Sequence, residues 1–542
     1  VTGQAKKPPG AASSSDVDGS TMAKLPFAAL AGGRGVPGNA ASTEMGQDHY
    51  SAYAGKLRSA HTTNLIQDGA RLGDFLEFFR SGDNFESTYT VGRKIGEGGF
   101  GKVFEATHNV FGVSRAVKRL SKSHSKVELR KNELAALLAL DHPHIVKLVE
   151  YYDEAEYLFL VFEECRGPDL LERIQRTPGG CLTEVEASVA LRHILKALQC
   201  CHSQYRGHYD IKPENFMYSS EDLQSLVMID LGMSSGFDRQ RHKIKGTAAY
   251  MAPEFWDGIY GPEGDVWSCG VVLFSMLTGE ALLPDVHSSA LQREIKSRVL
   301  MKTRLRYAEE AKGLSSNAVG LLTQMLHLDR HARPTVREAL NHPFNLASYE
   351  AERVHPRRIT DPAFREALLV RERLVDTLRA VALEPVLKRV GRLAMAHSCD
   401  ASSNDLAAER FVFRMLDRHG YGEISLMVLE NDFIYRRAPI PEDLEEIFQS
   451  IDFNRDGYIS YHTFLAAMLP FCLRSNEQLC RVAFSVLDRG RDGFVDAVDL
   501  ATIFGHRPES EKCRNILAEV CPEEGRLSWE AFLEMMAGDF LS

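Results

Sequence analysis

The feature that most restricts the fold of this chain is a short stretch carrying an acidic residue, a lysine and an amide, with a second acidic residue soon after. The stretch runs from His208 to Asn215 and includes Asp210 and Lys212, and Asp230 opens the later tripeptide Asp-Leu-Gly. Phosphoryl transfer from ATP needs a carboxylate that accepts the hydroxyl proton, and an amide and a second carboxylate that hold Mg²⁺. The pattern predicts Asp210, Lys212 and Asn215 as catalytic residues. It predicts Asn215 and Asp230 as magnesium ligands.

A glycine-rich run lies upstream, between two stretches that are typical of short strands. Glycine at these positions lets the backbone fold tightly over phosphate groups and point its N–H groups at their oxygens. We therefore expect ATP to contact the whole run, which comprises Ile95, Gly96, Glu97, Gly98, Gly99, Phe100, Gly101, Lys102 and Val103. Taken alone, the run is also compatible with a plain hairpin turn.

A lysine and a glutamate have the spacing of a phosphate-binding pair. Lys118 ends the strand-like tetrapeptide Arg-Ala-Val-Lys, and Glu133 follows fifteen residues later in the helical run 126–140. The lysine would hold the α- and β-phosphates, and the glutamate would hold the lysine in place. Two ordinary solvated side chains are the alternative.

Three further motifs follow in order. The chain contains Met-Ala-Pro-Glu254, then Asp265-Val-Trp-Ser, then Arg333 within His-Ala-Arg-Pro. With all these motifs in sequence, residues 89–344 resemble the catalytic domain of a serine/threonine protein kinase. The resemblance implies an α+β fold of two lobes, a strand-rich small lobe and a helical large lobe, with ATP between them. It also implies that Glu254 pairs with Arg333.

The resemblance implies further nucleotide contacts and a substrate preference. Besides the glycine-rich run, the residues implied to contact ATP are Ala116, Lys118, Glu133, Glu163, Cys165 and Asp169, the last three in and after a hinge. Asp169 and Glu214 match positions that attract basic residues just before the phosphorylated hydroxyl, which favours protein substrates with basic residues near that site. The alternatives are that Asp169 binds only the ribose and that Glu214 is structural.

Two positions depart from the kinase pattern. Tyr209 stands where the resemblance implies an arginine that meets a phosphorylated activation-loop residue. We therefore predict activity that does not depend on phosphorylation of that loop. Leu231 replaces the phenylalanine of Asp-Phe-Gly, and leucine fills a similar apolar volume. Because Lys118, Asp210 and Asp230 are all present, we predict an active enzyme rather than a pure binding protein.

The C-terminal part of the chain contains an internal repeat. Four loops begin at Asp417, Asp452, Asp488 and Val520, and each has glycine at position 6 and an apolar residue at position 8. This is the EF-hand pattern. A kinase, a basic junction and four EF-hands in this order resemble the calcium-dependent protein kinases. The implied fold class is a bilobal α+β protein kinase followed by an all-α calmodulin-like domain over 401–542, with EF-hand loops at 417–428, 452–463, 488–499 and 520–531.

The four loops differ in the calcium ligands they offer. Calcium prefers six to eight oxygens, and loop position 12 normally supplies two through a glutamate. The candidate ligands in the third loop are Asp488, Asp492, Asp496 and Asp499. Those in the second loop, where weaker binding is expected because position 12 is threonine, are Asp452, Asn454, Asp456 and Ser460. The first and fourth loops are expected to be empty, so calcium control is weakened or lost there. A structural or partner-binding module is the alternative.

Residues 345–400 are predicted to form a regulatory helix region rather than a plain linker. From Arg353 to Arg392 there are ten basic and five acidic residues, with apolar residues at helical spacing. From residue 400 onward there are 26 acidic and 14 basic residues. A basic amphipathic helix beside an acidic helical domain is typical of helix-in-groove docking. The resemblance implies that this junction blocks the kinase cleft at rest and is withdrawn when the EF-hand domain changes shape. A helix packed on the large lobe is the alternative.

The remaining features bound the class of protein. Residues 1–62 are rich in Ala, Gly, Ser and Pro and are expected to be disordered, and 63–88 are expected to form a lead-in helix. The net charge of −10 arises in the EF-hand region, which argues against nucleic-acid binding. The ten cysteines form no Cys-x-x-Cys pair, and no apolar run approaches the roughly 18 residues of a membrane span. We therefore predict a cytoplasmic protein.

Overall fold

The computed structural model describes residues 84–97, 101–122, 127–223, 225–237, 246–282, 298–347, 362–399, 404–504, 507, 511–522 and 524–538. The expected disordered segment over 1–62 lies outside these residues. So does the expected lead-in helix over 63–88, except for its end, where a short helix α1 spans Phe85–Thr88.

The small lobe is built on one antiparallel sheet. Its strands are β1 (Tyr89–Glu97), β2 (Lys102–His108), β3 (Ser114–Ser121), β4 (Leu148–Asp153) and β5 (Tyr157–Phe162), in the order β1-β2-β3-β5-β4, and α2 (Val127–Ala139) connects β3 to β4. The register of β3 places Lys118 between Val103 on β2 and Leu160 on β5. Because β3 is the central strand, Lys118 is buried beside the glycine-rich run.

The large lobe is helical. Its helices are α3 (Leu170–Arg176), α4 (Glu184–Ser203), α5 (Pro262–Thr278), α6 (Arg298–Lys312), α7 (Ser316–Met325) and α8 (Val336–Leu340), and its strand pairs are β6 (Arg206–Gly207) with β9 (Ser235–Gly236) and β7 (Phe216–Tyr218) with β8 (Leu226–Met228). Helix α4 begins at a capping box in which Thr183 and Glu186 satisfy each other's backbone N–H groups. Its apolar residues are buried in the core of the lobe. Its end leads into the segment that carries Asp210.

The junction and the EF-hand region share one hydrophobic core. The junction helices are α9 (Pro362–Glu372), α10 (Leu374–Ala382) and α11 (Val386–Ser398). The EF-hand helices are α12 (Ala407–Leu416), α13 (Leu426–Arg436), α14 (Leu444–Ile451), α15 (Tyr461–Ala467), α16 (Phe471–Arg474), α17 (Glu477–Leu487), α18 (Ala497–Ile503), α19 (Glu511–Ala518) and α20 (Trp529–Ala537). Helix α11 packs on α15 and α17, and α9 packs on α12. The junction is therefore structurally part of the EF-hand body.

The EF-hand loops pair in the way that the apolar position 8 predicts. Strand β10 (Glu423–Ser425) pairs with β11 (Tyr458–Ser460), and β12 (Phe494–Val495) pairs with β13 (Leu527–Ser528). Ile424 lies opposite Ile459, and Val495 lies opposite Leu527, and all four side chains are buried. The predicted fold class, a bilobal kinase followed by a helical EF-hand domain, is confirmed.

Three basic side chains of the described junction helices are neutralised in two ways. Near the surface, Arg379 Nε lies 2.6 Å from Asp443. In the core, Lys388 and Arg392 flank Glu384, with Arg392 Nε 2.6 Å from its carboxylate. The remaining N–H groups of the two buried cations face backbone carbonyls near the ends of α15 and α20. Helix C-termini carry partial negative charge, so they complement the basic junction as carboxylates do.

Candidate active site

A lysine and two acidic side chains meet in the cleft between the lobes. Lys118 Nζ lies 2.5 Å from Glu133 Oε1 and 2.8 Å from Asp230 Oδ1. Burial disfavours the charge on Lys118, but attraction by Asp230 and Glu133 outweighs it and raises the pKa of Lys118 above its ordinary value. Burial likewise opposes the charge of Asp230, yet Lys118 holds its pKa below the ordinary value. The lysine is therefore charged and held from two sides, as phosphate binding requires.

The predicted catalytic residues lie together on the loop after β6, residues 208–215, which we call the catalytic loop. Lys212 Nζ is 3.2 Å from Asp210 Oδ2. Asn215 Nδ2 donates to the Asp210 carbonyl at 2.7 Å and to its carboxylate at 3.3 Å. The other carboxylate oxygen of Asp210 accepts the N–H and the hydroxyl of Thr247 at 2.8 and 2.7 Å. Sequence reasoning missed Thr247, whose only signal is its place shortly before the Met-Ala-Pro-Glu motif.

A buried aspartate fixes the backbone of this loop. Asp265, on α5, accepts the backbone N–H groups of His208 at 2.9 Å and Tyr209 at 2.8 Å. The ring of His202, at the end of α4, lies 3.0 Å from the same carboxylate and was not predicted from the sequence. Hydrogen bonds to a buried carboxylate are stronger than neutral ones. Helix α5 therefore sets the position of the catalytic loop.

Tyr209 is the centre of an aromatic cluster. Its backbone is left-handed, with φ of 65°, and its side chain is buried. The ring makes edge contacts with Phe255 and Tyr260 at centroid distances of 5.8 and 5.2 Å, and those two rings stack at 4.4 Å. A Cβ on Gly207 would come within 2.2 Å of the Tyr209 ring. We call Tyr209, Phe255 and Tyr260 the aromatic clamp, which joins the catalytic loop to the segment after Glu254.

The implied pair of Glu254 and Arg333 is formed. The guanidinium makes two parallel contacts with the carboxylate, at 2.5 and 2.8 Å. It also lies 5.0 Å from the ring centroid of Trp267. The bidentate geometry and the burial of the arginine make this a strong attachment. It holds the end of the activation segment on the large lobe.

The glycine-rich run is described at its two sides. Strand β1 carries Ile95, Gly96 and Glu97, and β2 carries Lys102 and Val103, with Gly96 opposite Val103. Gly98, Gly99 and Phe100 lie outside the described residues. A Cβ on Gly101 would lie 2.6 Å from the backbone oxygen of Arg119, so the turn approaches β3 too closely for a side chain. The contacts of the run with ATP stay a prediction.

The remaining predicted nucleotide residues have structural partners of their own. Ala116 lies on β3 opposite β5, next to the hinge, and Cys165 is half-buried. The buried carboxylate of Glu163 accepts the backbone N–H of Lys147 at 3.0 Å. We therefore expect the backbone of Glu163, rather than its side chain, to contact ATP. The carboxylate of Asp169 caps α3, where it accepts a backbone N–H at 2.8 Å. These four positions remain predictions of nucleotide binding.

The two candidate calcium loops use their acidic side chains differently. In the third loop, Asp499 accepts the N–H of Gly490 at 2.8 Å, and both oxygens of Asp488 accept backbone N–H groups. In the second loop, Asp452 Oδ2 accepts the N–H of Gly457 at 2.8 Å. Its Oδ1 is buried and has no hydrogen-bond partner among the described residues. A buried oxygen without a partner is unusual in a folded protein, and a water molecule or a cation could supply the missing contact.

The other candidate ligands of these loops are close to their first aspartates. Asn454 Nδ2 donates to Asp456 at 2.9 Å, and the hydroxyls of Ser460 and Thr463 are 3.1 Å apart. Asp492 accepts a backbone N–H at 3.0 Å, and Asp496 caps α18. Within the described residues, no three His, Cys, Asp or Glu side chains converge as a metal site. In the same part of the chain, no helix has the length and apolarity to cross a membrane.

Comparison with known proteins agrees with this geometry. Residues 89–345 match the family described as Protein kinase domain. Calcium-dependent protein kinase 9 of Oryza sativa subsp. japonica is 29% identical over 83% of this chain and 76% of its own length. Calcium-dependent protein kinase 32 of Arabidopsis thaliana is 28% identical over 84% of this chain and 83% of its own. Calcium-dependent protein kinase 3 of Plasmodium berghei is 28% identical over 84% and 81%.

Proposed function

Because this chain belongs to the calcium-dependent protein kinase family and is a serine/threonine protein kinase, we propose that it phosphorylates protein segments with basic residues near the target hydroxyl, under control of its junction and EF-hand domain. One observation carries this proposal. Lys118 forms ion pairs with both Glu133 and Asp230, and Asp210 on the catalytic loop is held by Thr247. Both parts must be in place together for phosphoryl transfer.

We assign the proton transfer to Asp210. The two hydrogen bonds from Thr247 hold one of its carboxylate oxygens, and the other faces Lys212. In this role Asp210 accepts the proton of the substrate hydroxyl. Lys212 then balances the charge of the transferred phosphate. Lys118 holds the phosphates of ATP from the opposite side of the cleft.

Mg²⁺ fits the pair formed by Asn215 and Asp230. Asn215 donates through Nδ2, which leaves its amide oxygen for a metal. Asp230 uses Oδ1 for its bonds to Lys118 and to the N–H of Gly232, which leaves Oδ2. Oxygen ligands of this kind are those that Mg²⁺ prefers. When bound, the ion neutralises charge on the phosphates.

The basic-substrate preference can be tested at Glu214, which is exposed on the rim of the catalytic loop. Changing Glu214→Gln should raise KM about threefold for a peptide with arginine before the serine, because an exposed ion pair is worth up to about 1 kcal/mol. KM for the matching glutamine peptide and kcat for both should be unchanged. Steady-state phosphate transfer to the two peptides measures this.

Glu221→Gln is the matched control, since Glu221 is also an exposed glutamate of the large lobe. An equal rise in KM in the control, or no rise in Glu214→Gln, would contradict a role for Glu214 in substrate choice.

We propose that calcium, when it acts, binds the second loop rather than the third. The buried Oδ1 of Asp452, unbonded within the described residues, supports this, with Asn454, Asp456 and Ser460 in the same loop. In the third loop, both carboxylate oxygens of the matching Asp488 accept backbone N–H groups. Thr463 brings no carboxylate to position 12. The affinity should therefore be weaker than the roughly 10⁻⁷ to 10⁻⁵ M of sensor EF-hands.

Calorimetric titration of the full chain with calcium should show one weak site. The heat should be lost in Asp452→Ala and kept in Asp488→Ala, which removes the matching position of the third loop. Loss in Asp488→Ala alone would assign the site to the third loop instead. No heat in the unmodified protein would contradict calcium binding by either loop.

The position of the junction supports its role in control. Its helices are buried in the EF-hand core. Its C-terminal end is bonded to the small lobe, where Arg115 and Lys147 donate to the carbonyls of Ser398 and Cys399. Cations at a helix C-terminus are stabilising. We propose that this arrangement is the withdrawn state of the junction, because its helices pack on EF-hand helices.

A further inference from the structure

The first EF-hand loop, residues 417–428, does not fit a calcium ion. Positions 3, 5 and 12 are histidine, tyrosine and valine, which supply no carboxylate. The aspartate at position 1, Asp417, accepts the backbone N–H groups of Gly420, Tyr421 and Gly422 at 2.8, 2.9 and 3.0 Å. The loop is therefore closed by its own hydrogen bonds and needs no metal to hold its shape.

The same loop contacts the large lobe of the kinase domain. Lys196, on α4, donates from Nζ to the backbone carbonyl of Asp417 at 2.7 Å. The two residues are only 6% and 4% exposed. The ring of His142 lies 3.8 Å from the Asp417 carboxylate. A buried ammonium group is costly unless it is paired, and the Asp417 carbonyl is one of the partners of Lys196.

Glycines make this close approach feasible. A Cβ on Gly422 would lie 2.4 Å from the backbone oxygen of Asp141, and one on Gly420 would lie 2.6 Å from the Lys196 side chain. Gly422 occupies loop position 6, where all four loops need a positive φ. At the matching Gly457 of the second loop, a Cβ would meet nothing within 4 Å. The first loop therefore uses its position-6 glycine for contact with the kinase as well as for the turn.

The second loop reaches the same turn of the kinase domain. The backbone N–H of His462 donates to the Asp141 carboxylate at 3.0 Å, and the His462 ring pairs with the other oxygen. Asp141 and His142 thus receive both loops of the first EF-hand pair. Contacts from two loops on one turn fix orientation as well as position.

We propose that the first EF-hand loop is a metal-independent docking loop, which binds the EF-hand domain to Lys196 on the kinase large lobe and to the turn at Asp141 and His142 between α2 and β4. This inference rests on the misfit of the loop with calcium and on its contacts, not on the assignment of the catalytic residues. Its consequence is that the two domains stay in contact with or without calcium, and any calcium response is confined to the other loops.

Hydrogen–deuterium exchange of the full chain, in chelator and in calcium, tests the proposal. In the unmodified protein, amides of 417–422 and 141–142 should exchange equally slowly in both conditions. Gly422→Ala should speed exchange in both segments at least about tenfold, because the new methyl group pushes the loop off the kinase. Gly457→Ala carries the same backbone strain without that contact, so it should leave both segments within about twofold.

Lys196→Met is the second variant, since it removes the ammonium group and keeps an apolar stem. It should also speed exchange in 417–422, while unchanged exchange in β3 and β5 shows that the kinase domain is folded. Protection of the first loop only after calcium is added would overturn the proposal. Equal exchange at 141–142 in Gly422→Ala and Gly457→Ala would overturn it as well. Neither readout involves phosphate transfer, so this test is independent of the proposed function.

Discussion

Replacing Asp210 by asparagine is expected to lower kcat about a thousandfold, because a positioned general base contributes roughly 10² to 10⁴ in rate. Asparagine keeps the shape of the side chain and can still accept the hydrogen bonds from Thr247, so the loop should stay in place. What it loses is the ability to accept the substrate proton. Affinity for ATP should change little, because the phosphates are assigned to Lys118.

Initial rates of phosphate transfer to a basic serine peptide, together with calorimetric ATP binding, measure the two effects separately. Asp153→Asn is the matched control, since Asp153 forms only a partly exposed pair with Lys122 at 2.6 Å. Its kcat should stay within about twofold, as expected for a surface ion pair. Activity of Asp210→Asn close to that of the control would move the general base to another residue.

Truncating the centre of the aromatic clamp, Tyr209→Ala, is expected to have the second largest effect. The buried ring packs on Phe255 and Tyr260, so its loss should destabilise the protein by about 3–5 kcal/mol. Among molecules that remain folded, kcat should fall on the order of tenfold to a hundredfold, because a small misplacement of catalytic groups is enough for that. We expect Tyr209 to act as a positioning residue, since its buried ring packs on Phe255 and Tyr260.

Tyr209→Phe separates packing from hydrogen bonding. The hydroxyl lies 3.5 Å from the Gly236 carbonyl, a long and weak contact, so this variant should keep kcat within about twofold. Phosphatase treatment of the unmodified protein should also leave the activity unchanged, because the clamp joins the catalytic loop to the end of the activation segment by packing. Tyr209→Arg should reduce activity, since it places an unpaired charge in an apolar cluster.

Two results would contradict a positioning role for the aromatic clamp. One is a phosphatase-treated protein that loses most of its activity, which would mean that a phosphate orders the segment by another route. The other is a Tyr209→Ala variant with normal kcat in its folded fraction, which would reduce Tyr209 to a core residue. Unfolding is followed by tryptophan fluorescence in urea, and kcat is measured at urea concentrations well below the unfolding midpoint.

The candidate active-site residues could be singled out from the sequence because each proposed role needs one residue type at one spacing. Lys118, Glu133, Asp210, Asn215 and Asp230 could be assigned from their motifs, and the structure brings them into one cleft. The residues that support them were not predictable. Thr247 and His202 reach the site only through folding, and neither stands in a pattern that singles it out.

The EF-hand region shows the same division. The glycine at position 6 and the apolar residue at position 8 specified the turn and the pairing of the loops, and the pairing of Ile424 with Ile459 follows that pattern. The sequence and the structure favour different loops as the calcium site. Ligand types favoured the third loop, whereas the buried oxygen of Asp452 favours the second. The sequence shows which candidate calcium ligands a loop contains. Only the folded loop shows which of these oxygens already accept hydrogen bonds.

The sequence by itself determined the kinase machinery, the EF-hand repeats and the charge contrast between junction and C-terminal region, since these depend on local spacing and composition. The tertiary structure alone decided where those parts contact one another. The bond from Lys196 to Asp417, the packing of Tyr209 on Phe255, and the Glu163 carboxylate on the Lys147 amide are examples. Such contacts join residues that are separated in the sequence. They form because interiors are closely packed and because a buried polar group without a partner is costly.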